Sequence, residues 1–326
     1  MVADAVSQSQ SAFRGARPFD YRTDLYAVAH LLEEAFRPER NFLFSNTPLL
    51  RELGVFLWTL NYAPMFPETI NGFVWVEDKQ VVGNVTLTSD WGHTDRYHIS
   101  NVAVKPAYRR KGIARALAQV TLDHLRTLRV KSVLLNVRPS SPGAIKLYED
   151  LGFKALEMRG EWTLPSTPLR SAQDAAAGLD SLRSSNDRAV SDLIRAATPA
   201  KVLLYRPCHN DFELNWDERV FEMIADLFTL QSTRRWALQR DRKLAAVMMV
   251  RGQRIFSPHH IAIQVHPDFR GRVEDALVAA ALQHLARFPP REIRVEAADT
   301  HPELVAALER HGFRFLNGLT LMELEL

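Results

Sequence analysis

Residues 104–117 read VKPAYRRKGIARAL and are typical of a strand followed by a turn and a helix. The apolar segment that stops at Pro106 predicts a strand, and the apolar spacing from Gly112 to Leu128 predicts a long helix. A turn that feeds a helix N-terminus exposes unpaired backbone N–H groups and the positive end of the helix dipole. Such a turn holds phosphate groups, so this stretch predicts an anion site.

The residues of this loop suit close approach by an anion. Gly112 and Ala114 carry little or no side chain, so a phosphate can reach the backbone. Arg109, Arg110 and Lys111 add positive charge at the mouth of the loop. The Gly-Lys-Ser/Thr of a P-loop and the glycine spacing of a dinucleotide-binding turn are both absent, which excludes those two nucleotide-binding classes.

The segments around the loop predict a mixed α/β sheet with helices on both faces. In chain order we expect a helix at Asp24–Phe36 capped by Thr23, a helix at Leu49–Leu60, a hairpin of Gly72–Val76 and Val81–Leu87 turning at 77–80, a strand at His98–Val104, a helix at Gly112–Leu128, a strand at Ser132–Val137, a helix at Pro142–Leu151 and a strand from Phe153.

The chain repeats this pattern. LYEDLGF at 147–153 returns as ALERHGF at 307–313, and VKPAYR at 104–109 returns as VHPDFR at 265–270. An ordered series of matches indicates two copies of one domain. We expect four segments, namely a flexible N-terminus at 1–16, a first domain at 17–165, a linker at 166–180 and a second domain at 181–326.

Composition excludes several other classes of protein. The 326 residues include 41 basic and 38 acidic side chains, so the net charge of +3 does not suit a nucleic-acid coat. Cys208 stands alone, which excludes an intrachain disulfide and a cysteine-based zinc site. The most apolar stretch, Leu244–Val250, is too short for a bilayer, and residues 1–15 lack the apolar core of a secretion signal. We expect a cytoplasmic protein without membrane or nucleic-acid partners.

The strand, the basic loop, the helix and the LYEDLGF segment together resemble the GNAT superfamily of acyl-CoA-dependent N-acyltransferases, over roughly Phe19–Leu164. The resemblance implies acetyl-CoA (coenzyme A) as the cofactor. The pyrophosphate would bind the loop amides of Arg109, Arg110, Lys111, Gly112, Ile113 and Ala114. The pantetheine arm would pair with the edge of Val102, Ala103 and Val104, whose amides can polarise the thioester carbonyl. Ser141 stands where many members carry a cofactor-contacting Asn.

The resemblance also implies catalytic residues. Tyr148 stands where the family places the acid that protonates the departing thiolate, although a partly buried helix aromatic is the alternative. His98 precedes Asn101 by three residues, where several members carry a catalytic Glu, so it is the candidate base or else a structural histidine. Asp90, His93 and Asp95 match no familiar ligand spacing, so a solvated loop is favoured over a metal site, and we expect none.

The second copy looks unable to bind coenzyme A. Its loop is one residue shorter, and it reads FRGRVEDAL at 269–277. Glu274 and Asp275 place negative charge where a pyrophosphate would bind, and Leu308 replaces the tyrosine. His259, the counterpart of His98, is then a relic or a structural residue.

These observations favour acetyl transfer from acetyl-CoA to a primary amine by direct attack. A small-molecule amine is the favoured acceptor, and a protein N-terminus or lysine is the alternative. A non-catalytic acyl-CoA-binding regulatory protein is the candidate from another class. The oligomeric state is open, with a homodimer among the options.

Overall fold

A computed structural model describes residues 13–36, 71–90, 93–166, 178–182, 187–205, 212, 231–254 and 257–326. Contacts divide the chain into two compact units. Unit 1 comprises Met1–Val137, Ser141–Lys154 and Met322–Leu326, and unit 2 comprises Arg138–Ser140 and Ala155–Leu321.

The strands and helices that the structure describes follow the predicted order, with some shifts of their ends. The strands are β1 (Gly15–Pro18), β2 (Asn71–Glu77), β3 (Gln80–Asp90), β4 (His93–Val104), β5 (Ser132–Val137), β6 (Lys154–Leu164), β7 (Leu179–Ser181), β8 (Gln231–Arg240), β9 (Lys243–Gln253), β10 (His259–Val265), β11 (Ile293–Ala298) and β12 (Arg314–Glu325). The helices are α1 (Tyr21–Phe36), α2 (Ile113–Thr127), α3 (Pro142–Asp150), α4 (Asp187–Ala197), α5 (Ala200–Tyr205), α6 (Glu274–Leu285) and α7 (Pro302–Arg310).

Unit 1 is a mixed sheet with a helix packed on each face. Its strands follow the order β1, β2, β3, β4, β5 and then the end of β12, and β4 runs parallel to β5. On one face Val28 and Leu31 of α1 are fully buried against the sheet. On the other face α2 buries Leu117, Leu122 and Leu125. The predicted α/β sheet with helices on both faces is confirmed.

Two local details differ from the sequence prediction. Helix α1 begins at Tyr21, so Thr23 lies inside the helix and Asp20 precedes it. The Asp20 carboxylate accepts a hydrogen bond from the Arg22 N–H at 2.9 Å, as an N-cap side chain does. The expectation of Thr23 as the cap was therefore wrong. Strand β4 also begins five residues earlier than predicted, at His93. The expected helix at Leu49–Leu60 lies outside the described residues.

Unit 2 repeats this architecture with its own core. Its strands follow the order β12, β6, β11, β10, β9, β8 and β7, and β10 runs parallel to β11. Helix α6 buries Leu277 and Val278 on one face, and α4 buries Val190 and Leu193 on the other.

Part of the last strand of each copy belongs to the other unit, namely residues 155–164 of β6 and residues 322–325 of β12. Strand β6 follows the first copy in sequence, yet it pairs with β11, and its Trp162 packs in the core of unit 2. Residues Met322–Leu326 at the chain end belong to unit 1, where Met322 is buried and the Leu326 N–H donates to Lys131 O at 3.0 Å. The two contact units therefore differ from the predicted domains, 17–165 and 181–326, which follow sequence order alone.

Helices long and apolar enough to cross a membrane are not found in the described part of the chain.

Candidate active site

Strands β4 and β5 separate at their C-terminal ends. Their parallel pairing runs from Arg96 opposite Ser132 to Ile99 opposite Leu135 and stops there. On its other side β4 stays paired with β3, with Thr86 opposite Ser100 and Asn84 opposite Ala103, so β4 carries one extra residue between those two pairs. Such a bulge bends a strand and ends its pairing with a neighbour. The β5-facing edge beyond Ile99 is therefore open.

A buried amide holds the bulge. Asn84 is 2 % exposed, and its Nδ2 donates to Asn101 O at 3.0 Å and to Thr86 Oγ1 at 3.2 Å. Asn101 itself has a left-handed φ of 51°, which asparagine tolerates better than most residues. Sequence analysis did not single out Asn84. It could have been found from the sequence, since it is the one amide within the apolar strand VVGNVTL. A buried amide requires hydrogen-bond partners, which marks such a residue as a structural one.

We expect Asn84→Ala to weaken both folding and activity. Losing the amide removes the Asn84 donor from Asn101 O, which costs about 1–3 kcal/mol of unfolding free energy. If β4 then straightens, kcat/KM with acetyl-CoA falls about tenfold or more. Urea unfolding and steady-state kinetics measure both effects. Gln119→Ala, which removes an exposed amide on α2, is the control, and equal behaviour of the two variants would contradict the role of Asn84.

The loop after β4 has left-handed residues at the positions predicted for an anion site. Arg110 and Gly112 both have left-handed backbones, with φ of 65° and 81°, and they flank Lys111. Alternation of this kind turns successive N–H groups toward one concavity. Gly112 is the N-cap of α2, and no side chain caps the helix. A Cβ at Gly112 would meet nothing within 4 Å, so the approach to these amides is open. The loop geometry fits a pyrophosphate.

Some side chains of the loop hold it against the rest of unit 1, and others are exposed basic groups. Ile113 is 2 % exposed and packs in the core of unit 1, so only its backbone faces the loop. The Arg109 Nε donates to Val104 O at 3.1 Å, which holds the end of the open strand. Lys111 Nζ lies 4.6 Å from the centre of the Tyr108 ring. Arg110 is exposed and adds charge without an anchoring contact of this kind.

The three residues of the predicted pantetheine edge, 102–104, face alternate sides of the sheet. Ala103 is buried against α1 in the core that contains Val28 and Leu31. Val102 and Val104 are half-buried on the opposite face, beside the core that contains Ile113. Their backbones lie on the stretch of β4 that no longer pairs with β5. The edge is therefore free for an added strand.

Tyr148 lies on α3 within the core of unit 1. It is 6 % exposed, and its ring packs edge-on against Phe153 at 5.7 Å. Burial raises the pKa of Tyr148 to about 12. Its hydroxyl makes no hydrogen bond to any residue that the structure describes. An unpaired, protonated phenol can donate to a ligand atom. The ion pair of Arg115 with Asp150, at 2.6 Å, joins α3 to α2, the helix that begins at the loop.

The other two predicted side chains occupy strand and cap positions. Ser141 is the N-cap of α3, and its hydroxyl makes no capping hydrogen bond, so it is available to a ligand. His98 lies opposite Thr88 and Leu134 in the sheet and is half-buried. Because side chains alternate along a strand, His98 lies on the face opposite Ile99, and Ile99 shares a core with Tyr148. The structure does not bring His98 and Tyr148 into contact.

Groups of three or more residues able to hold a metal ion do not occur among the described residues. The side chains of Asp90 and His93 lie outside the described part of the structure, and Asp95 forms an ion pair with Lys131 at 3.0 Å.

In unit 2 a side-chain carboxylate of the protein accepts hydrogen bonds from the loop amides that correspond to the loop of unit 1. Glu274 is 2 % exposed, and its two oxygens accept from the N–H groups of Gly271 and Val273 at 3.0 and 3.1 Å. His301 Nε2 donates to it at 2.9 Å. The sequence predicted that Glu274 would repel a pyrophosphate, and the structure shows in addition that it fills the anion position. The shorter loop keeps one left-handed residue, Gly271, with φ of 76°.

Other counterparts in unit 2 have structural roles. His259 is 1 % exposed, and its ring nitrogens bond the Gln253 N–H and Pro289 O at 2.9 and 3.1 Å. Leu308, in place of the tyrosine, is fully buried. Asp275 forms an ion pair with Arg310, so the pair that joins α2 to α3 recurs with its charges exchanged.

We expect Glu274→Gln to destabilise unit 2 in a pH-dependent manner. Burial opposes ionisation of Glu274, but hydrogen bonds from His301 and the loop amides outweigh it and lower its pKa below the usual 4.5. A lowered pKa means that the carboxylate stabilises the fold above about pH 4.5, and that this contribution is lost as pH falls through the folded value. The variant loses about 1–3 kcal/mol at pH 7 and less at pH 3.

Chemical unfolding at both pH values measures this difference. Glu309→Gln, an exposed residue of α7, is the control and should change little at either pH. A Glu274→Gln variant as stable as the native chain at pH 7 would show that the carboxylate does not hold the loop.

The first copy combines an open strand edge, a strand bulge and a helix start that no side chain caps. Residues 26–153 match the Acetyltransferase (GNAT) family. The first copy therefore resembles the GNAT family in sequence, over about two fifths of the chain.

Curated relatives carry related names. The chain is 42% identical over 65 residues to the [Ribosomal protein bS18]-alanine N-acetyltransferase of Escherichia coli (strain K12), which covers 20% of this chain and 44% of that protein. It is 32% identical over 96 residues to an N-alpha-acetyltransferase of Saccharolobus solfataricus. That alignment covers 26% of this chain and 58% of the relative. The chain thus spans about half the length of the curated relatives it matches.

Solved structures share the fold along the whole chain. A GCN5-related N-acetyltransferase from Sphaerobacter thermophilus aligns with a TM-score of 0.56 at 14% identity, over 95% of each chain. A tandem GNAT protein from the clavulanic acid biosynthesis pathway aligns with a TM-score of 0.52 at 18% identity, over 96% of this chain and 98% of that one. At these identities the likeness shows the tandem fold alone.

Proposed function

We propose that the protein is an N-acetyltransferase that transfers acetyl from acetyl-CoA to a primary amine by direct attack. The observation that carries the proposal is the open edge of β4, which runs directly into an uncapped loop with two left-handed residues. This arrangement offers backbone N–H groups first to an extended arm and then to an anion. Tyr148, on the helix joined to α2, adds an unpaired proton donor.

The residues of unit 1 supply binding and orientation. The amides of 109–114 would hold the pyrophosphate, and Arg110 and Lys111 would add charge at its rim. The backbone of Val102–Val104 would pair with the pantetheine arm, and the Ser141 hydroxyl would donate to the cofactor. Acetyl-CoA supplies the activated acetyl thioester.

His98 and Tyr148 would move the protons. His98 accepts the proton of the attacking amine, directly or through a water molecule. The nitrogen forms a bond to the acetyl carbon, the carbon–sulfur bond breaks, and Tyr148 donates its proton to the departing thiolate. A pKa of about 12 keeps the Tyr148 hydroxyl protonated at neutral pH. A thiolate that leaves into the same buried surroundings also has a raised pKa, so the transfer stays feasible.

The class of acceptor amine has two candidates. Sequence reasoning favours a small molecule, because a two-copy chain can enclose a compact pocket. A protein N-terminal amine is the second candidate, and the names of the bS18-alanine and N-alpha-acetyltransferase relatives favour it. An alternative function, without any acceptor, is a regulatory protein that binds acyl-CoA and does not turn it over.

Release of free thiol from acetyl-CoA tests the proposal. The acceptors are small primary amines, a peptide with a free N-terminal alanine, and the same peptide with a blocked N-terminus and an internal lysine. We expect turnover with at least one amine and a loss of about a hundredfold in kcat in His98→Gln. Binding of coenzyme A without thiol release from any acceptor would favour the regulatory protein, and absence of binding would overturn the proposal.

A further inference from the structure

Unit 2 contains a cavity of about 670 Å³, although its anion loop is filled by Glu274. The cavity lies on the face of the sheet opposite α6. Its roof comes from α4 and α5, which contribute apolar side chains such as Ile194 and Val202. Its floor is formed by the outward side chains of β9, β10, β11 and β6. A volume of this size suits a small organic ligand.

One row of the floor is basic. Arg251 on β9 stands opposite His260 on β10, and His260 stands opposite Arg294 on β11. All three line the cavity. Three nitrogen-bearing side chains side by side form a surface that an acidic group of a ligand can bridge.

The next row contains two carboxylates that face each other. Glu296 on β11 is directly opposite Glu161 on β6, and like charges at such positions destabilise a sheet. Glu161 is compensated by Arg294 at 3.3 Å and by the Asn317 amide at 3.1 Å. Glu296 forms no ion pair with a residue that the structure describes. A cationic group of a ligand would relieve this repulsion.

The two rows are close enough for one small molecule. Arg294 and Glu296 are two residues apart on β11, so the rows are separated by roughly 7 Å along the strand. The parallel pairing of β10 with β11 stops at Ile261 opposite Val295, so backbone groups beyond that point also face the space between the strands. His260 and Glu296 are one strand and two residues apart, so the pattern suits an acidic end and an amine end separated by roughly 8 Å.

We propose that the cavity of unit 2 binds a small zwitterion that carries an amine and an acidic group separated by several bonds. The carboxylate or phosphate of the ligand lies on His260 with Arg251 beside it, and its ammonium lies against Glu296 on the neighbouring strand. This site is separate from the loop of unit 1 and does not depend on acetyl transfer.

Titration calorimetry on the full chain without acetyl-CoA tests the proposal. The ligand is 6-aminohexanoate, and the two single-charge controls are hexanoate and hexylamine. We expect saturable binding of the zwitterion and at least tenfold weaker binding of each control. Arg251→Gln and Glu296→Gln should each weaken zwitterion binding tenfold or more. The matched exposed variants, Arg287→Gln and Glu309→Gln, should leave it unchanged.

Three outcomes would overturn the inference. The zwitterion does not bind, or it binds no better than hexanoate or hexylamine, or its affinity is insensitive to both floor variants. Circular dichroism and thermal melts of each variant show whether unit 2 is still folded, so lost binding is scored only for folded chains. Failure here leaves the thiol-release assay of the native chain unaffected, so this inference and the proposed function fail independently.

Discussion

Tyr148→Phe is expected to lower kcat about 10²- to 10³-fold and to leave the Kd for coenzyme A nearly unchanged. The ring fills its buried site next to Phe153, and phenylalanine keeps that packing. The hydroxyl makes no hydrogen bond to a described residue, so its removal leaves no protein partner unpaired. Under the proposed mechanism, the loss falls on the step in which the departing thiolate takes a proton.

The pH profile provides a second measure of the same role. A pKa of about 12 means that the Tyr148 phenol does not ionise below about pH 11, so kcat of the native protein should not decline for that reason between pH 8 and 10. Tyr97→Phe, a half-buried tyrosine beside the same core, is the control. If Tyr148→Phe turns over as fast as Tyr97→Phe, Tyr148 is a packing residue and another group protonates the thiolate.

Ala114→Glu is expected to weaken coenzyme A binding by about a hundredfold or more. Ala114 is the counterpart of Glu274, whose carboxylate accepts from two loop amides in unit 2. A carboxylate at position 114 would compete for the amides of the uncapped α2 N-terminus and repel a pyrophosphate. Since an acidic residue in the first turn of a helix is favourable, the variant should fold as well as the native chain.

Calorimetric titration with coenzyme A measures the effect. Gln119→Glu adds the same charge on an exposed position of the same helix and should change the Kd less than threefold at physiological salt. If Ala114→Glu binds coenzyme A as tightly as Gln119→Glu, the pyrophosphate does not lie on these amides.

Local pattern was enough to predict the main elements of both copies. The periodicity of α2, the strand that stops at Pro106, and the repeated Gly152 and Gly312 after α3 and α7 are properties of short segments. Both glycines have left-handed φ, of 94° and 85°, at the helix end, where a side chain is unfavourable. The start of α1 was predicted less well, because both Asp20 and Thr23 are acceptable caps and local sequence does not choose between them.

The position of the loop at the start of α2 was predictable because its residues are consecutive in sequence. A basic run, a glycine and a helix start are adjacent in sequence, and backbone conformation follows from them. The bulge was not predictable in the same way. Asn84 and Asn101 are separated by 17 positions, and only pairing of β3 with β4 brings the amide to the carbonyl.

By itself, the amino-acid sequence determined that this chain contains two copies of one mixed α/β pattern, and that only the first copy keeps the basic loop at 109–114. Tertiary structure alone decided that β6 completes unit 2, that Met322–Leu326 complete unit 1, and that Glu274 fills the second loop with His301 as its partner. The physical reason is the distance along the chain between the residues that interact. Helix and strand periodicity arise from neighbours along the chain, whereas strand pairing and buried ion pairs depend on residues that folding brings together from distant positions.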